Sequence, residues 1–312
     1  MTTLTPSLLN CKQINFHGGC PDGIISRNIL VTALKFLGVT GLDLVPRRPG
    51  VKNSTIHPAV FVDMSPATEE EFLEVLQNGG FILDHHASNK WMFDKYEAEF
   101  SAQLLWGEND RAQSGAWLAW TAVSSLLYPY DLEGTSDLCE KIKNAAHMAS
   151  VYDTWHTEHS SFELAQAFAN LVVLIGNDYT GFYEEEDLAQ MLWESKKKAI
   201  ARSAEKAIWR DVKGLRVAFV NTLKTSDVSE LLRQKGANLV VGHAEFFDVE
   251  RNIEWLAFSL RGDDNFDCAA FALAHGGGGH KPAAGFGMPL ADLLNSSEGN
   301  VYNWIQKELQ EI

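Results

Sequence analysis

The stretch Phe81–Lys90 reads FILDHHASNK. Its apolar start, Phe81–Leu83, follows the turn signal Asn78-Gly79-Gly80, the pattern of a buried strand. Three adjacent ionisable side chains, Asp84, His85 and His86, end the run. Burying all three inside a sheet would be costly, so they belong at its carboxyl edge. Two imidazoles and a carboxylate there can hold a divalent metal and orient a phosphate oxygen. Alone the triplet is weak, because histidine is more often structural than ligating.

Upstream, Gln13–His17 reads as a strand that runs into His17-Gly18-Gly19-Cys20-Pro21-Asp22-Gly23, and Ile24–Leu37 then shows helical spacing. The turn either offers backbone amides to an anion or is an ordinary strand–helix loop with Asp22 as a cap. Leu42–Val45 and Ala59–Val62 read as further strands, the second ending in Asp63, and a helix is expected from Thr68 to Leu76. Three strands thus finish in His17, in Asp63 and in Asp84–His86. Strand–helix alternation predicts a mostly parallel α/β sheet with these ends on one edge, and their coincidence there makes a site far better than any one does.

Downstream, Trp91–Asn109 is aromatic-rich and irregular, a lid or a loop packed on the domain. Ala112–Leu127 reads as a helix ended by Pro129, with Trp117 and Trp120 in the core. Ser136–Ser150 is another helix, running into Val151-Tyr152-Asp153-Thr154-Trp155; the commoner fate of a lone Asp153 is a cap or a surface carboxylate. Phe162–Ile175 reads as a buried helix and Glu184–Trp209 as a long charged one, with Lys196–Lys198 solvated in its middle. The pattern then changes. Strands at Leu215–Val220, Asn238–Gly242 and Ile253–Arg261 mix with helices at Ser226–Lys235 and Phe266–His275. Four glycines, Gly276–Gly279, precede His280 and Lys281, and packing alone does not explain them. Such a run can present several amides to an anion, and Arg261, His280 and Lys281 suit a phosphate.

A length of 312 residues predicts two domains. The net charge of −15 argues against a general duplex-binding or membrane-surface protein, while leaving room for a small anion in a local cationic pocket. Cys11, Cys20, Cys139 and Cys268 form no CxxC pair, so a reducing, cytoplasmic setting is expected. The start, MTTLTPSLLNCK, lacks a signal-peptide pattern, and no apolar run is long enough to span a bilayer. The oligomeric state stays open, a homodimer being one option.

The ordered set HGGCPDG, VFVDMSP, ILDHHAS, QSGAWLAW, VYDTW, FSLRGD and HGGGGHKPAAG resembles the DHH/DHHA1 phosphoesterase superfamily over nearly the whole chain. Within it the set looks closest to the oligoribonuclease branch that degrades very short RNA. The resemblance implies a metal-binding α/β domain at 1–185, a connecting helix at 186–211 and a smaller α/β substrate-binding domain at 212–312, with the site in the cleft between the domains. Carried over, Asp22, Asp63, His85 and Asp153 surround one metal, and His17 and Asp63 contribute to a second, Asp63 bridging. Asp84 supports a ligand histidine and His86 faces the scissile phosphate, while Arg261, Gly277, Gly278, Gly279 and His280 grip the substrate. The implied ion is Mn²⁺, with Mg²⁺ the alternative.

One departure stands out. Many members carry two aspartates in the first motif, and here Cys20 takes the place of the first. Hard ions prefer carboxylate to thiolate, so an intact first metal site and a weaker second one are expected. The alternative is that Cys20 is a small core residue. The implied reaction is hydrolysis by a metal-activated water, with His86, Arg261 and Lys281 offsetting charge on the phosphoryl oxygens. No Ser or Cys nucleophile with a base partner is evident, so direct hydrolysis is expected. The favoured substrate is a short single-stranded nucleic acid or nucleotide, cut from an end to nucleoside monophosphates. Trp91, Phe93 and Trp155 either stack bases or belong to the core. The rivals are a cyclic-dinucleotide phosphodiesterase, a phosphatase acting on pyrophosphate, polyphosphate or a nucleoside bisphosphate, and a nucleotide-binding protein with a decayed metal centre.

Overall fold

In the computed structural model, described for residues 6–48, 50–52, 54–107, 113–128, 135–222, 225–248 and 252–311 without the side chains of Pro6, Ser7 and His280, five short strands form a parallel sheet. They are β1 (Gln13–His17), β2 (Asp43–Arg47), β3 (Ala59–Val62), β4 (Phe81–Asp84) and β5 (Leu104–Trp106), in the order β2-β1-β3-β4-β5 with every pair parallel. Both faces are apolar, as the continuous hydrophobic runs require. Ala59, Phe61, Ile82 and Leu104 pack against Phe72 and Val75 of α2 (Glu69–Gln77) and Met92 and Phe93 of α3 (Lys90–Phe100). The alternate residues Val60, Val62 and Leu83 are equally buried, on strands contacted by α4 (Gly115–Leu127). That helix packs with α1 (Pro21–Phe36) and α5 (Thr135–Asp153), and α6 (Phe162–Ile175) lies on α5.

Parallel pairing places the strand ends in a single row. Phe16 of β1 is in register with Val62 of β3, and Val62 with Leu83 of β4. The next residue along each strand is therefore His17, Asp63 and Asp84. Asp63 leaves β3 at φ 57°, a left-handed conformation that aspartate tolerates better than most residues. Such an outlier at a strand end commonly marks a functional position.

The chain divides into two units, the first ending at Trp193 and the second beginning at Glu194, so the boundary falls inside α7 (Glu186–Glu205). The second unit has a six-stranded sheet in the order β10-β11-β9-β8-β7-β6. Its strands are β6 (Ile208–Val212), β7 (Leu215–Val220), β8 (Leu239–Asp248), β9 (Ile253–Gly262), β10 (Gly278–His280) and β11 (Ala283–Pro289). Only β7 and β8 pair in parallel. Helix α8 (Thr225–Gln234) connects them; α9 (Cys268–Ala274), α10 (Leu290–Asn295) and α11 (Val301–Glu311) complete the unit. Phe219, Leu256, Phe258, Phe271, Phe286 and Ile305 share its core. Among the described residues, no helix is long and apolar enough to cross a membrane.

Several segments differ from the sequence reading. Trp91–Asn109 is not irregular: it supplies α3 and β5, while its last two residues lie outside the described part, as do Ala112 and Pro129. Met92, Phe93, Tyr96 and Phe100 form a helical stripe that the intervening charges hide. Strand β2 runs on through Pro46, which an edge position tolerates. The charged helix stops at Glu205, and Ile208–Val212 turns back on β7 through Lys213 and Gly214, both at positive φ as a tight hairpin requires. Trp120 is buried as expected, but Trp117 is only half-buried.

Phe72 is fully buried between Phe93 and Tyr96. Phe72→Ala is expected to cost about 3–5 kcal/mol in urea unfolding of the full chain; a loss under about 1 kcal/mol would contradict this packing.

Candidate metal centre

Five side chains from the sheet edge and two helices converge. His85 Nε2 lies 3.1 Å from Asp63 Oδ1, 3.4 Å from Asp153 Oδ2 and 3.9 Å from Asp22 Oδ2. On the other side of Asp63, Oδ2 is 3.4 Å from His17 Nδ1. Asp63 thus offers one oxygen toward each histidine. Asp22 comes from the first turn of α1 and Asp153 is the last residue of α5. Ligand atoms of Asp22, His85 and Asp153 lie within 4.8 Å of one another, as do those of Asp63, His85 and His86, and those of His17, Cys20 and Asp63.

The partners of these groups are divided in a consistent way. Asp22 Oδ1 accepts from Ser114 Oγ at 2.8 Å and from the Ala116 amide at 3.0 Å, at the start of α4, where the helix dipole favours a negative charge. Ser114 Oγ also meets Ser150 Oγ at 2.8 Å. Asp22 Oδ2, Asp63 Oδ2 and His17 Nδ1 are buried and have no hydrogen-bond partner. Buried polar atoms are nearly always satisfied, and leaving a carboxylate oxygen bare costs several kcal/mol unless a cation meets it. The donor set fits a divalent ion, with oxygens and imidazoles facing one space.

Asp84 has a different task. It is fully buried, and its Oδ2 accepts from Ser65 Oγ at 2.6 Å and Asn89 Nδ2 at 2.7 Å. Its Oδ1 accepts from the amides of His85 and His86 and sits 2.7 Å from His86 Nδ1. Every lone-pair direction is used, so Asp84 positions His86 and its own oxygens face no metal. A cavity of about 360 Å³ opens beside His86, lined by Met64, Ser65, Pro66, Ala67 and Asn89 among others.

Crowding of like charges shifts the titrations. Burial and the neighbouring Asp63 and Asp153 push the Asp22 carboxyl well up, and burial and Asp63 push Asp153 up to about 6. Burial works against charge on His85, but the hydrogen bond to Asp63 and the charges of Asp22 and Asp153 prevail and push it up to about 10. Burial would likewise raise Asp63, but the close contact with His17 and the hydrogen bond with His85 hold it below the ordinary carboxylate range. Burial and the same three carboxylates keep the Cys20 thiol protonated.

Four residues at this centre escaped the sequence reading. Ser65 and Asn89 carry no distinguishing signal, whereas Ser114 ahead of an apolar run reads as a helix cap. Gly115 is required by proximity: a Cβ there would lie 2.5 Å from Asp63 Cβ and 2.8 Å from Asp22 Oδ2. Of the aromatic candidates, Phe93 belongs to the core, while Trp91 and Trp155 are exposed.

The remaining candidates lie in the second unit. Arg261 on β9 is in register with Ala283 of β11, which is in register with His280 of β10. The Arg261 guanidinium donates to the Leu260 carbonyl at 2.8 Å and to Ser226 Oγ at 2.8 Å. Lys281 is exposed, and the His280 side chain lies outside the described part. The second half of the glycine run lies in strand β10, and packing explains more of the run than expected. Gly276 sits at φ 75°, and a Cβ on Gly277 or Gly279 would meet β11 at 2.2–2.5 Å. Gly278 alone has neither reason: nothing lies within 4 Å of its Cβ position.

No family model matches the chain, and no curated protein matches it. Solved structures do. The exonuclease RecJ bound to manganese aligns with 99% of this chain and 91% of its own at 16% identity and a TM-score of 0.53. An exopolyphosphatase-related protein from Bacteroides fragilis aligns with 96% of this chain and 92% of its own at 13% identity and a TM-score of 0.52. The DHH domain of a member of a ribosomal-protein family aligns with 98% of this chain and 88% of its own at 10% identity and a TM-score of 0.51.

The centre makes a prediction for the chain kept free of divalent ions by a chelator. His85 titrates at about 10 when folded and 6.5 when unfolded, so its contribution is complete below pH 6.5 and is lost as pH rises toward 10. Asp22 and Asp153, also raised, act in the same direction, and the lowered Asp63 and Asp84 lose their contributions only in acid. The melting temperature in chelator should fall steadily from pH 6.5 to 10, and saturating Mn²⁺ should flatten the slope by taking the protons' place. A melting temperature independent of pH in chelator would contradict this electrostatic picture. Aligned over nearly its full length with these structures, this chain shares the fold of RecJ, of the exopolyphosphatase-related protein and of that DHH domain.

Proposed function

We propose that the chain is a divalent-metal-dependent phosphoesterase that hydrolyses short oligonucleotides to nucleoside monophosphates. The observation that carries this reading is the trio of buried, unpartnered atoms, Asp22 Oδ2, Asp63 Oδ2 and His17 Nδ1, around a carboxylate that spans two histidines. Asp22, Asp63, His85 and Asp153 would hold one ion, and His17 and Asp63 would reach a second. Mn²⁺ is the proposed ion, with Mg²⁺ the alternative, both suited to oxygen-rich donor sets. When bound, such ions supply Lewis acidity, lowering the pKa of water and drawing charge from a phosphoryl group.

The chain's own residues supply the rest. Asp84 holds His86 by Nδ1, which leaves Nε2 to meet a phosphoryl or leaving oxygen. Asp84 also favours charge on that ring: burial opposes the charge, and the Asp84 contact raises the His86 pKa. In the second unit we assign substrate contacts to Arg261, Gly277, Gly278, Gly279, His280 and Lys281. Gly278 supports that assignment, since an open Cβ position at a glycine suits close approach of a ligand to the backbone. The net charge of −15 favours a short substrate over a long duplex, which would need many phosphate contacts. The manganese ion of the RecJ structure and the exonuclease in its name support this reading, and the exopolyphosphatase-related protein supports the coarser one, a phosphoesterase.

The test is a panel of phosphoesters with Mn²⁺: linear dinucleotides, longer single strands, cyclic dinucleotides, pyrophosphate and a nucleoside 3′,5′-bisphosphate. Mononucleotide release should be fastest from the shortest strands. It should drop about 10²–10⁴-fold in His86→Ala with Mn²⁺ binding retained. Release of inorganic phosphate instead would assign a phosphatase, and no turnover with any member would leave a nucleotide-binding role.

A further inference from the structure

We infer that the two halves of this centre are chemically unlike, and that the half built from His17, Cys20 and Asp63 selects a thiophilic, borderline ion of the Zn²⁺ class. The inference rests on the metal-dependent reading above and concerns which ion each half takes. Within 3.9 Å of His85 Nε2 the charged groups are three carboxylates, Asp22, Asp63 and Asp153. That set is hard and suits Mn²⁺ or Mg²⁺. Around His17 the donors are one imidazole, one carboxylate oxygen and the Cys20 sulfur, within 4.8 Å of one another. One N, one O and one S donor make the mixed set of a Zn²⁺ site with three protein ligands and an open fourth position.

Cys20 does not stand alone in this. The oxygen that Asp63 directs to the same place is buried without a hydrogen bond, on a residue only 1% exposed, and its neighbour His17 Nδ1, 3.4 Å away, makes none either. Cys20 holds the N-cap position of α1, beside the metal-facing atoms of His17 and Asp63. As a residue it is partly exposed, whereas Cys11, Cys139 and Cys268 are buried, and its sulfur lies beside Asp63 and His17. On binding, the sulfur–hydrogen bond gives way to a sulfur–metal bond and the proton leaves to solvent. Asp63 then serves both halves, one oxygen each, and holds unlike ions side by side.

The test is a Co²⁺ titration of the full chain followed by absorption and by calorimetry. Co²⁺ substitutes for either ion, and sulfur ligation gives a thiolate-to-cobalt charge-transfer band in the near ultraviolet. Two Co²⁺ should bind, with the band belonging to one of them. The band should vanish in Cys20→Ser and Cys20→Asp. Cys20→Asp should still bind two ions, and its preference for Zn²⁺ over Mn²⁺ at the altered half should fall at least about tenfold. Two bound Co²⁺ without the band would overturn the inference and leave the metal-dependent reading intact. A band that survives both substitutions would place the thiolate on another cysteine and overturn it too. No binding of Co²⁺ or Mn²⁺ at all would overturn the metal-dependent reading and this inference together.

Discussion

Three carboxylates crowded around a single imidazole, two of them fully buried, form the constraint on which the first unit depends. At an effective dielectric of ~20, like charges at about 4 Å repel by roughly 4 kcal/mol. Asp22, Asp63 and Asp153 all lie within 3.9 Å of one nitrogen of His85, and a protonated histidine supplies only one of the positive charges needed. The chain answers by holding extra protons, with His85 pushed up to about 10 and Asp153 up to about 6. A divalent cation answers the same demand with more charge and without using up the acids, and so the arrangement reads as a socket rather than as a set of salt bridges.

The fold makes the socket by separating fixed from free oxygens. Asp22 has one oxygen tied to the start of α4 and the other bare, so its direction is set before any ligand arrives. Asp84 has both oxygens tied and therefore acts only on His86. The difference comes from position: both are buried aspartates near strand ends, yet Asp22 faces a helix N-terminus and Asp84 faces Ser65 and Asn89. Gly115 lets α4 come close enough for its amides to reach Asp22.

Much of this is legible in the sequence. Strands ending in His17, Asp63 and Asp84 announce a parallel sheet and its edge, because apolar runs that stop in ionisable groups have few other places to go. Asp153 is harder to read from the residues alone, since a helix-terminal aspartate looks like any other until α5 is seen to end against His85. Ser65 and Gly115 are silent for the same reason: their roles depend on contacts distant in sequence, to Asp84 and to Asp22 and Asp63, which periodicity does not register. The glycine run is a partial misreading. Gly277 and Gly279 are glycine because β11 leaves no room for a side chain, and only Gly278 keeps the open character once assigned to all four. In Trp91–Asn109 a helix was hidden because Lys90, Asp94, Lys95 and Glu97 dilute its apolar stripe.

The most direct test is crystallographic: anomalous scattering from crystals of the full chain soaked in Mn²⁺. The account predicts a peak with oxygens of Asp22, Asp63 and Asp153 and a nitrogen of His85 at about 2.0–2.6 Å. A centre free of anomalous signal at saturating Mn²⁺, with Asp22 Oδ2 and Asp63 Oδ2 met by protein or water instead, would contradict it.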